Sequence, residues 1–599
     1  MSMRKRIPEI VGVVALVLAG GCDTLKIANP NAPDTPHLLA SPTSVLSLAQ
    51  GAMRTWFLTT HGGYGADQYP VLTMSVMARG HVAMWNNFHI RYYTGCTNAN
   101  WNGYTTATNG TCGNPLSEGP PYPRAAWNND PAAAERTQIE AMWYGYYSAL
   151  SSARDVLKRI RVDGLIITDA PTTKMVETLT VLAQALSFSG LALNYDHGFI
   201  VDYNTDLTTL KLSTAVEIRD AAMAKFDTAI TLASAGTFTS TADGFFGPGT
   251  TYSNTQIAQI ANTMAARTLA YFARNATDNA AVDWARVVGY GSKGISSGAR
   301  FDWVIHQYAC NTWCDFLKVW SNDMTTMRLH TRVAHMLDAA TQPDPWNDAA
   351  NTQPNSLDKR LGNGAYRGDA AYAANVLNSA VDPVNGGTDY VWTSTKEFGN
   401  KTRGAWHQSA IGQVRYDSFP GCGDNPQGST SPGDKDSPIL LAAENDLIWA
   451  EGLIHTGASG AAALINNTRV TRGGLTPATD ADANLLQELQ YEQDVELLGS
   501  SPAVFYNQRR IDNLEPNTPH EMPIPANELN VLGVALYTCG GAAHSDGSCD
   551  AFPAPSPAAG AVGGAAVLVA SAPKVWAQLE QEWRNRAAAN RLLSRLLVK

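Results

Sequence analysis

Apolar residues recur at three- and four-residue steps through the middle of the chain. Two such runs extend from Ile139 to Ile160 and from Met175 to Leu193. Two more extend from Ala215 to Ala233 and from Ile257 to Phe272, and a shorter one covers Ala281–Val288. This spacing places the apolar side chains on one face of a helix. Because strand-like alternation is scarce, the pattern predicts a series of paired helices.

Small residues stand at many facing positions of these helices, which favours close helix packing, as in tetratricopeptide repeats. Asp130 precedes Pro131, a pairing typical of an N-cap followed by the first helical residue, so we expect the first long helix to begin there. The repeat period is irregular. The predicted fold is therefore all-α, with a degenerate tetratricopeptide-like helical repeat body.

The helical pattern stops between residues 296 and 437, a segment rich in Gly, Pro, Asn, Asp and Trp. Long irregular segments in compact proteins are commonly functional, so we interpret this one as a large loop-rich insertion. Periodicity returns over Leu440–Ile454 and Leu485–Leu498. Residues 551–599 form a C-terminal extension, with an Ala/Gly/Pro-rich stretch followed by a predicted amphipathic helix over Pro573–Lys599.

The first residues have the features of an export signal. A basic group at 4–6 precedes an apolar stretch over Ile10–Ala19, and small residues lead to Cys22. We predict a signal peptide over 1–21, acylation of Cys22, and a tether over 22–42 that leads into a domain over 43–599. Ala19 stands where such lipidation motifs usually carry Leu, and plain cleavage after Gly21 is the alternative.

Seven further cysteines agree with export to an oxidising compartment. Their spacing suggests three disulfides and leaves Cys422 unpaired; the pairs are Cys96–Cys112, Cys310–Cys314 and Cys539–Cys549. Zinc is the competing interpretation of clustered cysteines. The chain contains no CxxC and no finger-like histidine spacing, so we predict no metal site.

Composition and motifs argue against nucleic-acid binding and catalysis. Lys and Arg number 43 against 53 Asp and Glu, a net charge of -10, whereas nucleic-acid binders normally present a basic face. A GxGxxG pattern over 289–294 follows a helical run, so it lacks the strand that a dinucleotide site needs. We predict no enzyme activity and no cofactor. A glycosidase would need two convergent carboxylates, and Asp302, Asp315 and Asp323 are the available acids near the aromatic residues of the insertion.

Two stretches combine aromatic side chains with Asn, Asp and Arg, around residues 85–130 and 303–323. Sugar rings stack on aromatic faces while their hydroxyls need polar partners, and binding pockets often pair these features. The candidate ligand-binding residues are Trp85, Trp101, Tyr104, Asn311, Trp313 and Trp320. Burial against the helices is the alternative for each loop aromatic. Trp143 and Tyr147 lie in helical register, so we expect them in the core.

A series of short motifs follows one order along the chain. It comprises Asn29-Pro30-Asn31, Trp143 with Tyr147, Asn194–Gly198, Asn262–Ile295, Leu357–Leu361, Arg415-Tyr416, Trp449–Glu451, Leu464–Leu475, Glu492 with Glu496, Arg509-Arg510 and Met522–Pro525. In this order the chain resembles the SusD/RagB family across nearly its whole length. Two departures, Gly499–Pro502 and Gln493, fall at positions where the family usually has other residues.

The resemblance implies a lipid-anchored protein on the outer face of the outer membrane. Such proteins bind an oligosaccharide, or in some relatives a peptide, and deliver it to a SusC-like TonB-dependent transporter without catalysing a reaction. Two other functions compete with this expectation. One is an envelope scaffold built on helical repeats, and the other is a surface hydrolase.

Overall fold

The computed structural model describes residues 39–62, 69–83, 90, 124–242, 244–308, 313–322, 327–344, 352–364, 386–392, 409–416 and 434–553. Several predictions concern residues outside these ranges: the signal peptide, Cys22, most of the tether, Cys96, Cys112, Cys310, Cys422 and the extension from residue 554 onward. These stay predictions.

The first half of the described chain is built from helices in succession. These are α1 (Pro42–Thr60), α2 (Pro70–Met77), α3 (Thr137–Arg161), α4 (Ala170–Asn194), α5 (Ala215–Ala235) and α6 (Asn254–Tyr271). Helix α1 packs against α3, and α3, α4, α5 and α6 pack each against the next. The prediction of an all-α repeat body is confirmed, and each apolar run of the sequence corresponds to a helix.

Shorter helices complete the body. These are α7 (Ala276–Ala280), α8 (Trp284–Gly291), α9 (Phe316–Ser321), α10 (Thr331–Leu337), α11 (Ala442–Thr456), α12 (Ala461–Arg469), α13 (Leu485–Val495), α14 (Ala503–Arg510) and α15 (Ala526–Leu532). Helix α11 packs against α6, α8 and α12, so the helices that follow the insertion rejoin those that precede it.

In the part of the chain that the structure describes, eight short strands form four antiparallel pairs. They are β1 (His81–Ala83), β2 (His197–Phe199), β3 (Leu212–Thr214), β4 (Trp303–Tyr308), β5 (Met327–Leu329), β6 (Tyr390–Trp392), β7 (Ile411–Gln413) and β8 (Asp434–Leu440). The pairs are β1–β5, β2–β3, β4–β8 and β6–β7. Pairing of β4 with β8 brings the two ends of the insertion together, so the loop-rich segment leaves and returns to the body at one place.

Helix α3 begins at Thr137, whereas the sequence suggested a start at Pro131. Asp130 caps a turn instead of a helix, because its carboxylate accepts a hydrogen bond from the Ala132 amide at 2.8 Å. Asn129 is buried, and its side chain bonds the Ile524 and Tyr537 carbonyls. These bonds hold the chain outside a helix until Thr137. The expected helix start at Pro131 is therefore wrong by about two turns.

The core between α1, α3 and α4 is packed closely enough to require glycine. A Cβ atom on Gly145 would lie 2.1 Å from the Thr59 hydroxyl, and one on Gly190 would lie 2.3 Å from the Tyr146 ring. Trp143 and Tyr147 are fully buried, with ring centroids 4.8 Å apart. The prediction that both are core residues is confirmed.

Helix α4 is the one described helix that is long and apolar enough to cross a membrane by length and composition alone. Within its most apolar window, 89% of the residues are buried inside the protein. Buried core helices meet the same criteria, and α4 packs against α3 and α5 over its length.

We predict that stability falls between pH 6.5 and 4 because His81 is buried as the neutral form. Its Nε2–H donates to Gln413 Oε1 at 3.1 Å, and Nδ1 lies 2.8 Å from the Ser75 hydroxyl. Burial lowers the pKa of His81 to about 4, against the opposing effect of the Gln413 hydrogen bond. Below pH 6.5 the unfolded chain therefore binds a proton that the folded chain does not, which disfavours folding.

The variant His81→Gln should lose less stability than the wild type between pH 6.5 and 4. The urea midpoint of unfolding at each pH measures the difference. The loss attributable to His81 is on the order of 3 kcal/mol over the full window. Burial also lowers the pKa of His520 to about 4, so this histidine should destabilise the protein over the same pH range. The His81→Gln variant should therefore keep the part of the pH dependence that is due to His520. An unchanged pH profile in the His81 variant would contradict the assignment.

Candidate ligand-binding surfaces

Four of the six predicted ligand-binding residues lie outside the described residues: Trp85, Trp101, Tyr104 and Asn311. Their role stays a prediction from sequence. Trp313 and Trp320 are described: Trp313 precedes α9 by three residues, and Trp320 lies in its last turn.

Trp313 lies in the core. Only 4% of its surface is exposed, and its ring packs against Phe57 of α1 with centroids 5.4 Å apart. A buried ring has no open face for a sugar, so the assignment of Trp313 as a stacking platform is corrected to a packing role. Trp320 is half-buried, and its ring meets Tyr69 edge-on at 6.3 Å.

A buried ionic cluster fixes the segment that carries Trp313 and Trp320. Asp315 caps α9, and its carboxylate accepts hydrogen bonds from Lys318 Nζ at 2.7 Å and the Ser437 hydroxyl at 3.0 Å. Lys318 also donates to the Ser500 carbonyl. Burial would raise the pKa of Asp315, but the Lys318 charge, followed by His61, lowers it below its usual range. The cluster thus joins α1, α9, β8 and the 497–502 turn.

Two of the three acids considered for glycosidase chemistry are described, and both have structural partners. Asp302 accepts a hydrogen bond from the Ala442 amide at 2.7 Å, and Asp315 belongs to the buried cluster. Asp323 lies outside the described residues. Asp315 is therefore buried at the start of α9, whereas Asp302 is exposed and caps the start of α11.

A second buried ionic cluster fixes the insertion to α13. Arg360 is fully buried, and its guanidinium contacts Asp358, Glu492 and Glu496 at 2.6–3.1 Å. Glu496 also accepts from Arg415 at 2.8 Å. Burial would raise the pKa of Glu496, but the charges of Arg415, Arg472 and Arg360 lower it to about 2. The resemblance motifs around 358, 415 and 492 are thus joined in one structural cluster.

The two departures from the motif series also have structural roles. Gln493 donates to Glu451 Oε2 at 2.8 Å, next to Arg510, whose guanidinium pairs with the same carboxylate. The Ser501 hydroxyl donates to Glu444 at 3.1 Å. These positions therefore affect local packing.

Two of the three glycines of the GxGxxG pattern, Gly291 and Gly294, serve close packing, whereas Gly289 faces open space. A Cβ on Gly294 would lie 2.2 Å from the Asn445 side chain, and one on Gly291 would lie 3.0 Å from Trp449. The pattern lies at the end of α8, without a preceding strand. Within the described ranges, no group of three His, Cys, Asp or Glu side chains is arranged to hold a metal ion.

A cleft with a volume of about 810 Å³ lies among the described residues. It is bounded by the first turn of α5, the end of α6, α8 and residues 548–552, and we call it the C-terminal cleft. Cys539 and Cys549, the closely spaced pair noted in the sequence, form a disulfide that closes its outer wall. Cys314 is also disulfide-bonded, while its predicted partner Cys310 is not described.

Sequence reasoning assigned no role to the C-terminal cleft. Its walls come from segments between residues 196 and 552, so no local pattern marks it. The available signals were the Cys539–Cys549 spacing and the motif Asn194–Gly198, which contains Asp196 and His197. Neither signal, taken by itself, indicates a cleft.

No family model matches the chain, and no curated protein matches it. A SusD homologue from Bacteroides thetaiotaomicron matches with a TM-score of 0.52 and 12% identity, covering 82% of this chain and 96% of that one. A SusD-like carbohydrate-binding protein from Bacteroides fragilis matches with a TM-score of 0.50 and 12% identity, covering 79% and 86%. The chain therefore has the fold of SusD-like proteins, as its motifs suggest.

Proposed function

We propose that the protein is a cell-surface lipoprotein that binds glycans and delivers them to a SusC-like TonB-dependent outer-membrane transporter. The observation that carries the proposal is the SusD-like fold, which spans 96% of the Bacteroides thetaiotaomicron homologue. The carbohydrate binding named for the Bacteroides fragilis structure belongs to that protein and supports a glycan as the ligand class here.

The chemistry of the sequence supports the same ligand. Residues 85–104 carry Trp85, Trp101 and Tyr104 among asparagines and arginine, a combination suited to sugar faces and hydroxyls. Strand β1, which ends two residues before Trp85 in the chain, pairs with β5.

The lipid anchor at Cys22 and the outward orientation complete the proposal. A basic group, an apolar stretch and small residues before Cys22 support export and acylation. Multiple acyl chains, at about 0.8 kcal/mol per buried methylene, give a firm membrane anchor. Recovery of the protein with a large outer-membrane barrel after mild detergent extraction supports the transporter as partner, and extraction of the protein alone would count against it.

A peptide is the alternative cargo, since aromatic and amide side chains also suit peptide ligands. We favour a glycan because the aromatic stretches are dominated by Trp, Tyr and Asn. A scaffold is less well supported, since it does not need clustered loop aromatics. A hydrolase is also less well supported, because the two described acids near these aromatics, Asp302 and Asp315, have structural partners.

The variant with both Trp101→Ala and Tyr104→Ala should weaken oligosaccharide binding roughly 30-fold, since each lost aromatic contact costs about 1 kcal/mol or more. Isothermal titration with the best oligosaccharide from a panel measures the change. Tyr290→Ala, at a half-buried position in α8, is the control and should bind normally. Equal affinity in the double variant would place the glycan site elsewhere.

A further inference from the structure

The C-terminal cleft lies where the described part of the chain ends. Cys549, Asp550 and Phe552 line the cleft, and Pro553 is the last described residue. Residues 554–599 therefore continue the chain from the wall of this cleft. They include the amphipathic helix predicted over 573–599, which lies outside the described residues.

The point from which this extension starts is fixed to the body. The Cys539–Cys549 disulfide closes the loop that precedes it. The ring of Phe552 contacts the rings of His197 and Tyr537, with centroids 4.6 and 5.5 Å apart. The extension thus leaves the body from a fixed position at one edge of the cleft.

Negative charge is in excess around the cleft. Its lining has five carboxylates and three arginines. Each arginine already has an acidic partner: Arg219 pairs with Asp220 at 2.7 Å, Arg274 with Glu521 at 2.8 Å, and Arg286 with Asp227 at 3.8 Å. Two of these partners, Asp220 and Asp227, are additional to the lining, so they bring further carboxylates close to it.

The other four carboxylates of the lining have no such cation beside them. Within the described ranges, Asp196, Asp278, Asp283 and Asp550 pair with no lysine or arginine. Asp196 and Asp550 contact histidines, and the other two accept hydrogen bonds from backbone amides. A backbone amide satisfies a carboxylate oxygen but leaves its negative charge in place. The cleft therefore favours a cationic occupant over an anionic one.

Apolar side chains lie among these charges. Val216, in the first turn of α5, is 47% exposed at the cleft, and Phe552 is half-buried in its lining. Phe272 offers less free surface, since the Arg219 and Arg274 guanidiniums lie over its ring at 4.6 and 5.2 Å. An occupant that combines apolar and basic side chains is complementary to this lining.

The end of the chain has this combination. Residues 573–599 contain six Lys or Arg and two Glu, whereas the whole chain has a net charge of -10. On the predicted helix, Trp576, Leu579 and Trp583 lie on one face, because they are spaced by three and four residues. Arg591 and Arg595, which are four residues apart, lie together at the side of that face.

We propose that the C-terminal cleft binds the predicted helix at the end of this same chain. Trp576, Leu579 and Trp583 contact Val216 and Phe552, and the basic residues of the helix lie near the carboxylates of the cleft. The glycan site proposed above involves other residues, so this contact can be tested independently of it.

The intervening residues make such a contact accessible. Residues 554–572 are uncharged and rich in Ala, Gly and Pro. A flexible chain of about 19 residues has a root-mean-square span of roughly 25 Å, so the helix stays close to the cleft. A short flexible linker gives an effective concentration on the order of millimolar. A weak intrinsic affinity is therefore sufficient for the helix to occupy the cleft.

Photo-crosslinking of the full chain that begins after Cys22 tests the proposal. The photoreactive residue p-benzoylphenylalanine replaces Trp583, and in a matched control it replaces Asn585, on the opposite face of the predicted helix. We expect links from position 583 to cleft residues, identified by mass spectrometry, in roughly fivefold higher yield than from position 585. Equal yields at both positions, or links from position 583 only to other surfaces, would overturn the proposal.

Variants locate the site in the chain that carries the photoreactive residue at position 583. Val216→Lys should lower the yield of cleft links roughly threefold, because it repels the basic helix and removes an apolar contact. Val162→Lys is the matched control, since Val162 follows α3, is 60% exposed and is not part of the cleft lining. Arg591→Glu with Arg595→Glu should also lower the yield. Equal yields in the two valine variants would contradict the assignment of the site.

Dilution separates the chain's own helix from other occupants. A contact within one molecule gives crosslinked monomer in a yield that does not change with protein concentration. Crosslinked dimer that disappears on dilution would assign the cleft to the helix of a second copy and would overturn the proposal. Absence of any cleft link would leave the cleft to a different partner and would also overturn it.

Discussion

Replacing Arg360 with methionine is expected to lower the free energy of unfolding by about 3–5 kcal/mol. The guanidinium is fully buried between Asp358, Glu492 and Glu496. Without it, three carboxylates face one another in an environment that water does not reach, and that state is far less stable than the paired one. The urea unfolding midpoint of the soluble body measures the effect.

Arg159→Met is the matched control for this experiment. Arg159 makes an ion pair with Asp163 at a similar distance, 2.7 Å, but both side chains are partly exposed to solvent. Exposed pairs of this kind contribute about 0–1 kcal/mol. If Arg360→Met destabilises the protein no more than Arg159→Met does, the buried cluster does not hold the insertion on α13.

Trp313→Ala is expected to destabilise the protein by about 3–5 kcal/mol, because it empties a large site in the core. The ring packs against Phe57 and next to the Asp315 cluster, so little of the cavity can close. Differential scanning calorimetry should show a clear fall in melting temperature.

Trp101→Ala is the comparison for the Trp313 variant, since both residues were candidates for the same role in the sequence. We expect its melting temperature to stay near that of the wild type while oligosaccharide affinity falls. A stable Trp313 variant with weakened glycan binding would reverse the roles assigned to the two tryptophans.

The contrast between these tryptophans shows what a single sequence can and cannot predict. Helix positions could be predicted because burial of one helix face imposes a period of 3.6 residues on the apolar side chains. The apolar runs over 139–160 and 175–193 fall within α3 and α4. An aromatic residue in an irregular segment carries no such period. The side chain of Trp313 suits both a core and a sugar platform, and only its packing against Phe57 decides between them.

Contacts between distant segments were beyond prediction for a related reason. Strands β4 and β8 pair although an insertion of more than a hundred residues separates them, and neither strand is marked by strong alternation. Arg360 and Glu492 meet across a similar separation. The C-terminal cleft likewise depends on α5, α6, α8 and the disulfide loop converging, which the helical pattern of each segment does not specify.

A thermal-shift screen of the soluble body against oligosaccharides and short peptides tests the proposed function most directly. A ligand at about 100 times its dissociation constant should stabilise the protein by roughly 2.7 kcal/mol. The proposal predicts that at least one oligosaccharide raises the melting temperature and is recovered unhydrolysed. If no saccharide in the panel shifts the melting temperature at millimolar concentration, or if the bound saccharide is cleaved, glycan capture by this protein is contradicted.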